Sequence, residues 1–317
     1  MCDITGAKSG FRQEISDSLV CENMLALSSL SIIRSRLTVG DPNLNSSAVD
    51  YLLAEGLSPY LDGLGQRAVF NSSVGEIYSA VDPENRVPFR PDAIDLARLH
   101  KTIRDRRVVT ALEFGVGYST LVMADALMKN ERDYGEYVRA NLRRRDAFKL
   151  YAIDADPSFI DLTKGMIPTE LNDIIEFQFS AVSVSTFNDR VATYYDRLPN
   201  ICPDFIYLDA PDQFIPNGDV RGISTNHPDR MPMSADVLAF EHFLTPGTLL
   251  IVDGRTANAR FLKANLQRSW EYTHDESADI HTFELKEPPL GPYNRAHIEY
   301  CLGKSWLENV ESSGGPA

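Results

Sequence analysis

The sequence predicts an α/β protein in which a mostly parallel sheet of seven strands is covered by helices and closed at one edge by an antiparallel hairpin. Three observations predict this fold. From residue 108 onward, short β-type runs alternate with helical stretches, and strands joined by helices form parallel sheets through right-handed crossovers. Several of these runs are apolar on both faces, as in strands buried between two helical layers. After residue 270, two strand-like pieces follow each other without a long helix.

Five runs are predicted as the parallel strands and two as the hairpin. The parallel strands are residues 108–114, 149–153, 174–179, 205–208 and 248–252, and the hairpin strands are residues 281–285 and 297–302. Gly291-Pro292 separates the hairpin strands, since this pair favours a turn. Two insertions stand out, residues 129–149 and residues 211–235. The second follows the fourth strand, where α/β proteins place substrate contacts.

The regions that flank the α/β part are predicted to differ from it. Residues 1–90 are expected to form a helical N-terminal extension or lid, because apolar residues such as Ile15 and Leu19 recur at helical spacing. Residues 91–307 are expected to form the α/β domain. Residues 308–317 are polar and end in Gly-Gly-Pro-Ala, so a disordered tail is expected there.

The charge balance excludes several kinds of partner. The 317 residues include 31 Lys and Arg against 45 Asp and Glu, a net charge of −14. Nucleic acids and anionic membranes need clustered cations, so we expect neither as a partner and favour a small-molecule substrate. The sequence has no apolar run of the roughly 18 residues that a membrane span requires, no visible secretory signal, and no CxxC pair. A cytoplasmic protein with reduced thiols is expected.

The sharpest motif is Glu113-Phe114-Gly115-Val116-Gly117-Tyr118-Ser119. It ends a β-type run and opens a helical one, so both glycines fall at a strand–turn–helix junction. Glycine lets the backbone turn tightly and approach a ligand closely, and the helix that follows offers free N–H groups. A dinucleotide site would have a third glycine, which is replaced here by Thr120. The motif predicts a ligand-binding turn, and a tight turn without a ligand is the alternative.

The second motif is Tyr151-Ala152-Ile153-Asp154-Ala155-Asp156-Pro157. An acidic residue at the end of the second strand can accept hydrogen bonds from both ribose hydroxyls of an adenosine. Asp154 directly follows the predicted strand and is the candidate for this role. Asp156 is expected to cap the helix that begins after it. The alternative is that both carboxylates serve only as caps.

Together, the two motifs resemble those of the class I S-adenosylmethionine-dependent methyltransferases, over about residues 86–303. The resemblance implies a Rossmann-like sheet and S-adenosylmethionine as the cofactor. The residues that it implies at the cofactor are Glu113, Gly115, Gly117, Tyr118, Ser119, Asp154, Ser180 and Ala181. In that family the glycine turn holds the methionine part, the acid after the second strand binds the ribose, and the turn after the third strand borders the adenine.

Within this superfamily, the pattern is most similar to the cation-dependent, catechol-type O-methyltransferases. Gly117-Tyr118-Ser119 matches their glycine turn, and residues 204–210 and 244–253 resemble their fourth and fifth strands. Each of those strands ends in a metal-binding aspartate. The resemblance therefore implies Asp209 and Asp253 as ligands of Mg²⁺, a hard ion that takes oxygen ligands.

Three residues depart from that pattern. Gly254 stands where the subgroup has Asn, Asp212 stands where it has a Lys that serves as base, and Arg255 adds a cation beside the expected cation site. The alternative is a site without metal. In that case Asp209 orders the cofactor pocket, Asp253 caps the next helix, and Arg255 pairs with either carboxylate or with an acidic substrate.

The sequence thus predicts S-adenosylmethionine-dependent methyl transfer to an oxygen of a small-molecule acceptor, with or without Mg²⁺. Asp209, Asp212 and His227 are the catalytic candidates facing the acceptor. The helical N-terminal region would cover the pocket or form a homodimer interface. Two alternatives stay open. One is a protein that binds the cofactor without transferring its methyl group. The other is a nicotinamide-dependent oxidoreductase, which Thr120 and the hairpin disfavour.

Overall fold

The structure is a computed structural model that describes residues 42–57 and 92–313 of the chain. The chain divides into two compact units, Met1–Asn45 and Ser46–Ala317. All but four of the described residues belong to the second unit, which contains every strand and the candidate site. The predicted helical extension is described only in part, because residues 1–41 and 58–90 lie outside the described ranges.

The described residues form eight α-helices and nine strands. The helices are α1 (Pro42–Ala54), α2 (Ala93–Asp105), α3 (Tyr118–Asn141), α4 (Pro157–Met166), α5 (Asp236–Phe240), α6 (Thr256–Asn265), α7 (Pro292–Cys301) and α8 (Lys304–Ser313). The strands are β1 (Thr110–Phe114), β2 (Lys149–Asp154), β3 (Ile175–Phe179), β4 (Val182–Phe187), β5 (Arg190–Tyr195), β6 (Phe205–Leu208), β7 (Leu249–Asp253), β8 (Trp270–Asp275) and β9 (Ile280–Leu285). None of these helices is both long enough and apolar enough to cross a membrane.

Seven strands form one sheet in the order β3-β2-β1-β6-β7-β9-β8. The first five are parallel, and β9 runs antiparallel to both β7 and β8. This confirms the predicted Rossmann-like sheet with its antiparallel closing hairpin. The strand order reverses at β1, which pairs with β2 on one side and β6 on the other. The crevice beyond the carboxyl ends of strands at such a reversal is where open α/β sheets bind ligands.

The central strands are buried on both faces, as their apolar sequences predict. Every residue of β1 and of β6 is buried. Neighbouring residues of β1 point to opposite faces, so Ala111 belongs to one apolar cluster and Leu112 to the other. Helices α2 and α3 supply apolar residues to the first cluster, whereas α5 and α6 supply them to the second. The five parallel strands begin and end within two residues of their predicted bounds.

One of the two strands that form the closing hairpin differs from the prediction. Residues 281–285 do lie in β9, but its partner is β8, and residues 297–301 belong to helix α7. This part of the prediction was wrong because proline suits the first turn of a helix as well as a turn between strands. Pro292 opens α7, and Asn294, His297 and Ile298 are buried at helical spacing.

Two further predictions need correction. Residues 308–313 belong to helix α8, so the expectation of a disordered tail is wrong for them; residues 314–317 lie outside the described ranges. Helix α8 is amphipathic, and Leu307 and Val310 are buried one turn apart. The first part of the supposed insertion at residues 129–149 is the continuation of α3, which ends at Asn141.

A second, two-stranded sheet was not predicted. Strands β4 and β5 pair antiparallel across a turn at Asn188 and Asp189, both of which have positive φ angles. The predicted loop at residues 211–235 is attached to this hairpin near both of its ends, by bridges between Ser183 and Asn217 and between Thr193 and Ser234. The hairpin therefore fixes the two ends of the loop beside the main sheet.

Candidate active site

The glycine turn lies where the strand order reverses. Gly115 has a φ of +97°, in the left-handed region that favours glycine. Its N–H donates to the carbonyl of Ile153 at the end of β2, at 2.8 Å. A Cβ at this position would lie 3.0 Å from the Cβ of Ala210, just beyond β6. Glycine is therefore required here by both the backbone angle and the lack of space.

The buried side chain of Glu113 holds this turn in place by hydrogen bonds. Its side chain is fully buried and accepts hydrogen bonds from the hydroxyls of Ser119 at 2.6 Å and Thr120 at 2.7 Å. The Thr120 hydroxyl in turn accepts the N–H of Gly117 at 3.0 Å. Burial raises the pKa of Glu113 to about 8, against the opposing effect of the two hydroxyl donors. Thr120, which replaces the third glycine of a dinucleotide motif, is thus part of the turn's internal bonding.

Asp154 joins the end of β2 to the glycine turn. One carboxylate oxygen accepts the N–H of Val116 at 3.1 Å, and the other accepts the N–H of Asp156 at 2.8 Å. Burial raises the pKa of Asp154 to about 6, although these backbone donors oppose the shift. Asp156 caps α4 by accepting the N–H of Ser158 at 2.9 Å, which confirms its predicted role. The alternative in which Asp154 is only a helix cap is not what the structure contains.

The turn after β3 completes this side of the site. The N–H of Ser180 donates to the carbonyl of Asp154 at 3.0 Å. The hydroxyl of Ser180 accepts the N–H of Arg197 at 2.9 Å, so the side chain is held in place. Ala181 follows in the same turn, and Tyr118 is the half-buried first residue of α3. The structure therefore brings the predicted cofactor residues to neighbouring strand ends at one edge of the sheet.

Asp209 lies on the opposite side of the glycine turn, directly after β6. Its N–H donates to the carbonyl of Phe114 at 3.0 Å, which fixes it beside the end of β1. Asp209 is exposed to solvent, although the protein atoms around its carboxylate remove part of the hydration. This desolvation raises the pKa of Asp209 to about 7; Asp253 adds to the shift, and Arg255 opposes it. Asp209 can therefore exchange a proton near neutral pH.

Asp253 ends β7, next along the sheet. Its carboxylate accepts a hydrogen bond from the hydroxyl of Tyr207, and burial raises the pKa of Asp253. Helix α6 begins at Thr256 without a side-chain cap. The alternative in which Asp253 caps the next helix is therefore wrong.

The residues around Asp209 do not fit a divalent ion. Arg255 is half-buried, its charge acts on Asp209, and its guanidinium donates to the carbonyl of Pro211. Its Nε–H has no hydrogen-bond partner among the described residues. Gly254 offers no side-chain ligand, and no described group of three potential ligands within 4.8 Å of one another includes Asp209 or Asp253. The charge of Arg255 already acts on this carboxylate, and a second cation would be repelled.

The other two catalytic candidates lie in the loop at residues 211–235. Asp212 is exposed, and its carboxylate accepts the N–H of Phe214 at 2.7 Å. His227 is exposed, and its Nδ1 accepts the N–H of Asp229 at 3.1 Å. Within the described ranges, no hydrogen bond or ion pair joins either side chain to Asp209. Their catalytic roles stay predictions.

Asp95, on helix α2, is a further ionisable residue near the candidate site that the sequence motifs did not indicate. Burial raises the pKa of Asp95 to about 6, and the nearby charge of Asp253 adds to the shift. Arg98 donates to its carboxylate at 2.5 Å. The signal in the sequence is the Asp95–Arg98 pair, three residues apart on a helix whose neighbouring positions are apolar. Asp95 thus adds another carboxylate to the charges around Asp253 and Asp209.

Comparisons with known proteins give similar solved structures. No protein-family model and no curated protein matches the sequence. The O-methyltransferase TomG from Streptomyces achromogenes, solved with SAM, is 18% identical and covers 73% of this chain and 95% of its own, with a TM-score of 0.36. An O-methyltransferase from Bacillus cereus in complex with SAH is 15% identical over 72% of this chain and 97% of its own, at 0.36. The SAH-bound methyltransferase PaMTH1 from Podospora anserina is 11% identical over 74% and 96%, at 0.39.

The candidate site consists of a glycine turn, a carboxylate bonded to it at the strand reversal, and a second group of carboxylates whose pKa values are raised, Asp95, Asp209 and Asp253. The chain is a Rossmann-like α/β protein whose candidate site lies at the carboxyl edge of its parallel strands.

Proposed function

We propose that this protein binds S-adenosylmethionine at the carboxyl edge of its sheet and transfers the methyl group to an oxygen of a small-molecule acceptor. The observation that carries the proposal is the bond between Asp154 and the N–H of Val116. It holds a carboxylate from β2 against the glycine turn of β1, at the point where the strand order reverses. A carboxylate so placed suits the hydroxyls of a ribose, and the turn suits the rest of an adenosyl ligand.

The first turn of α3 is suited to the anionic end of such a ligand. Helix α3 has no side-chain cap at Gly117, so its first N–H groups are free to bind an anion. A Cβ at Gly117 would meet nothing within 4 Å, so open space adjoins the turn. The carboxylate of the methionine part is the group we assign to this position. Glu113 lies beneath the turn and stabilises its shape.

Asp209 is the group that we assign to proton transfer. The cofactor, when bound, supplies a methyl group attached to a positively charged sulfur. Transfer forms a bond from the acceptor oxygen to that carbon, and the pair of the broken bond stays on sulfur. The acceptor's hydroxyl proton must leave, and Asp209, with a pKa near 7, can accept it at neutral pH. The residues do not fit Mg²⁺, so no metal takes part in this proposal.

The same proposal includes the class of acceptor, the location of the protein and its oligomeric state. A net charge of −14 favours a small-molecule acceptor over nucleic acid or an anionic membrane. We propose a cytoplasmic location and no membrane partner, and a homodimer stays a proposal as well. Asp212 and His227, in the loop beyond β6, are proposed to contact the acceptor because loops at this edge carry substrate contacts.

Binding is tested by titration calorimetry with S-adenosylhomocysteine. We expect the wild-type chain to bind it and Asp154→Ala to bind about 100-fold more weakly, because hydrogen bonds to a charged group are lost. Asp161→Ala is the matched control, since Asp161 is an exposed aspartate on α4. Circular dichroism checks that each variant is folded. Equal affinities for wild type and Asp154→Ala would reject the proposed site.

Turnover separates methyl transfer from its alternatives. A panel of phenols, sugars and amines is incubated with S-adenosylmethionine, and S-adenosylhomocysteine formation is measured. Binding without turnover on every acceptor would favour the non-catalytic alternative. Enhanced fluorescence of reduced nicotinamide cofactor, without binding of S-adenosylhomocysteine, would favour the oxidoreductase.

A further inference from the structure

Two buried polar atoms near Asp209 have no hydrogen-bond partner among the described residues. One is the hydroxyl oxygen of Tyr195, the last residue of β5, and the other is Nε of Arg255, the residue before α6. The Tyr195 side chain is only 4% exposed. A buried polar atom without a partner costs free energy, so each such atom needs an explanation. Two of them beside one candidate catalytic carboxylate point to a ligand atom that pairs with both.

Both side chains meet the chain directly after β6, where Asp209 lies. The ring of Tyr195 packs against the ring of Phe114, with centroids 5.5 Å apart, and the carbonyl of Phe114 accepts the N–H of Asp209 at 3.0 Å. The guanidinium of Arg255 donates to the carbonyl of Pro211, two residues beyond Asp209. Tyr195 and Arg255 therefore approach the same short segment from two different elements, β5 and the start of α6.

The Tyr195 hydroxyl and the Arg255 guanidinium interact electrostatically with each other and with Asp209. Four charged groups act on the hydroxyl, namely Asp154, Asp236, Arg255 and Asp209. Asp209 and Tyr195 are in turn the two groups that act most strongly on the guanidinium. Burial raises the pKa of Tyr195, so its hydroxyl keeps its proton, and a guanidinium is always protonated in proteins. Both groups are therefore hydrogen-bond donors.

The unpaired groups are together the complement of one hydroxyl group. Tyr195 and Arg255 each offer a donor, whereas the carboxylate of Asp209 accepts no hydrogen bond within the described ranges and offers an acceptor. A hydroxyl has one hydrogen to donate and two lone pairs that accept. A neutral amine has a single lone pair, which two donors would compete for and which the amine needs for attack. The site therefore favours a hydroxyl over an amine.

We propose that Tyr195 and Arg255 bind the hydroxyl oxygen of the methyl acceptor and donate hydrogen bonds to it while it loses its proton to Asp209. This inference rests on the proposed function and adds two catalytic residues to it. Because Asp209 is exposed and Arg255 is only half-buried, the acceptor can approach from the solvent side of Asp209. The acceptor class is then hydroxyl compounds, and amines are excluded.

The two donors act on the charge that develops in the reaction. When Asp209 takes the proton, the oxygen is left with three lone pairs. Two of them accept the hydrogen bonds of Tyr195 and Arg255, and the third forms the bond to the methyl carbon. The electron pair of the broken carbon–sulfur bond stays on sulfur. Donors fixed in advance around such an oxygen typically contribute about 100-fold or more each to the rate.

The first test concerns the free protein and compares Tyr195→Phe with Tyr194→Phe. Tyr194 is the matched control, since it is the preceding residue of β5 and its hydroxyl donates to the carbonyl of Thr186 at 3.4 Å. Tyr195→Phe removes a hydroxyl that has no partner, so its melting temperature is expected to equal or exceed that of wild type. A melting temperature below that of both wild type and the control would show that the hydroxyl stabilises the fold, and would overturn the proposal.

The second test uses the hydroxyl compound that wild type methylates fastest in the acceptor panel. Tyr195→Phe is expected to lower kcat about 100-fold and to leave the affinity for S-adenosylhomocysteine unchanged. Arg255→Lys keeps the charge but lacks the Nε–H, so its kcat should fall as well, whereas Tyr194→Phe should keep the wild-type kcat. Circular dichroism checks the fold of each variant. A wild-type kcat for Tyr195→Phe would overturn the proposal.

The third test replaces the hydroxyl of that acceptor by an amine on the same skeleton. Wild type is expected to methylate the amine at least about 100-fold more slowly, and faster transfer to the amine would contradict the assigned acceptor class. The outcomes separate the two levels of the argument. A wild-type chain that methylates no acceptor rejects the proposed function and this inference with it, whereas wild-type turnover that Tyr195→Phe leaves intact rejects this inference alone.

Discussion

The two ends of strand β6 carry aspartates that behave in opposite ways. Asp204 precedes the strand and accepts the N–H groups of Val109 at 3.0 Å and Thr110 at 2.6 Å, with His297 Nε2 at 3.2 Å. Although burial alone would raise the pKa of Asp204, these donors and the charge of Arg144 hold it well below its usual range. Asp209 directly follows the same strand, five residues after Asp204. Desolvation raises the pKa of Asp209 to about 7, with only Arg255 opposing the shift strongly.

The difference teaches that a structural carboxylate has its lone pairs filled by donors of the chain, whereas one that is ready for a ligand does not. Asp204 is buried and accepts hydrogen bonds from the chain itself, whereas Asp209 is exposed and its carboxylate accepts none within the described ranges. At the carboxyl edge, Asp209 and Asp253 are short of donors and lie near one another's charge. Such an arrangement is costly in the free protein and persists at sites that bind something.

The largest loss of stability is expected for substitution of Asp204, the aspartate whose carboxylate accepts hydrogen bonds from the chain. Asp204→Ala leaves two N–H groups and His297 without their acceptor, and breaking a buried pair of this kind costs about 3–5 kcal/mol. Urea unfolding measures the loss. Asp209→Ala is the comparison and should lower the free energy of unfolding by far less. Equal losses for the two variants would remove the distinction between the two ends.

The second effect concerns the glycine turn at the carboxyl edge. Gly115→Ala places a Cβ 3.0 Å from the Cβ of Ala210 in a backbone with a φ of +97°, so we expect a loss of about 1–3 kcal/mol in unfolding free energy.

Gly117→Ala is its control. That residue has an extended φ of 170°, and nothing lies within 4 Å of its added Cβ. Its stability should change by less than about 0.5 kcal/mol, while affinity for S-adenosylhomocysteine falls about tenfold. A stable Gly115→Ala protein would show that the turn can move aside.

The smallest effect is a pH dependence at Asp209. A carboxyl whose pKa is about 7 when folded binds its proton more tightly than in the unfolded chain, where the value is about 3.9. The ligand-free protein therefore loses stability from this group as pH rises from about 4 to 7.

Asp209→Asn removes that loss, so its melting temperature should exceed that of wild type by about 2 °C at pH 8 and match it at pH 4. Solvent reaches this carboxylate, which keeps the difference small. A variant less stable than wild type at pH 8 would contradict the proposed shift. For Asp204 the sign is reversed, since its depressed pKa gives stability above about pH 4 that is lost on acidification.

The core of the fold could be predicted because the residue types of each central strand show that the strand is buried on both faces. Strand β6, for example, has four buried residues in a row, and only a strand covered on both faces needs that pattern. The closeness of Gly115 and Asp154 also followed, because the ends of adjacent parallel strands meet at one edge.

The errors arose where local sequence suits more than one structure. Residues 297–301 have strand-like composition, and their burial against the chain before β1 was decisive for a helix. The same limit applies to the site. The sequence shows that Arg255 follows Asp253 closely, but the hydrogen bond from its guanidinium to Pro211 could not be predicted, since that contact depends on how the loop after β6 returns.

The loop at residues 211–235 is tied to the β4–β5 hairpin near both of its ends. The segment between these ties is largely exposed, so its residues contribute little to the core. Replacement of that segment would therefore change the surface beside the candidate site while the residues of the core keep their sequence. Under the proposed function, such a replacement would change the choice of acceptor and leave the cofactor-binding residues unaltered.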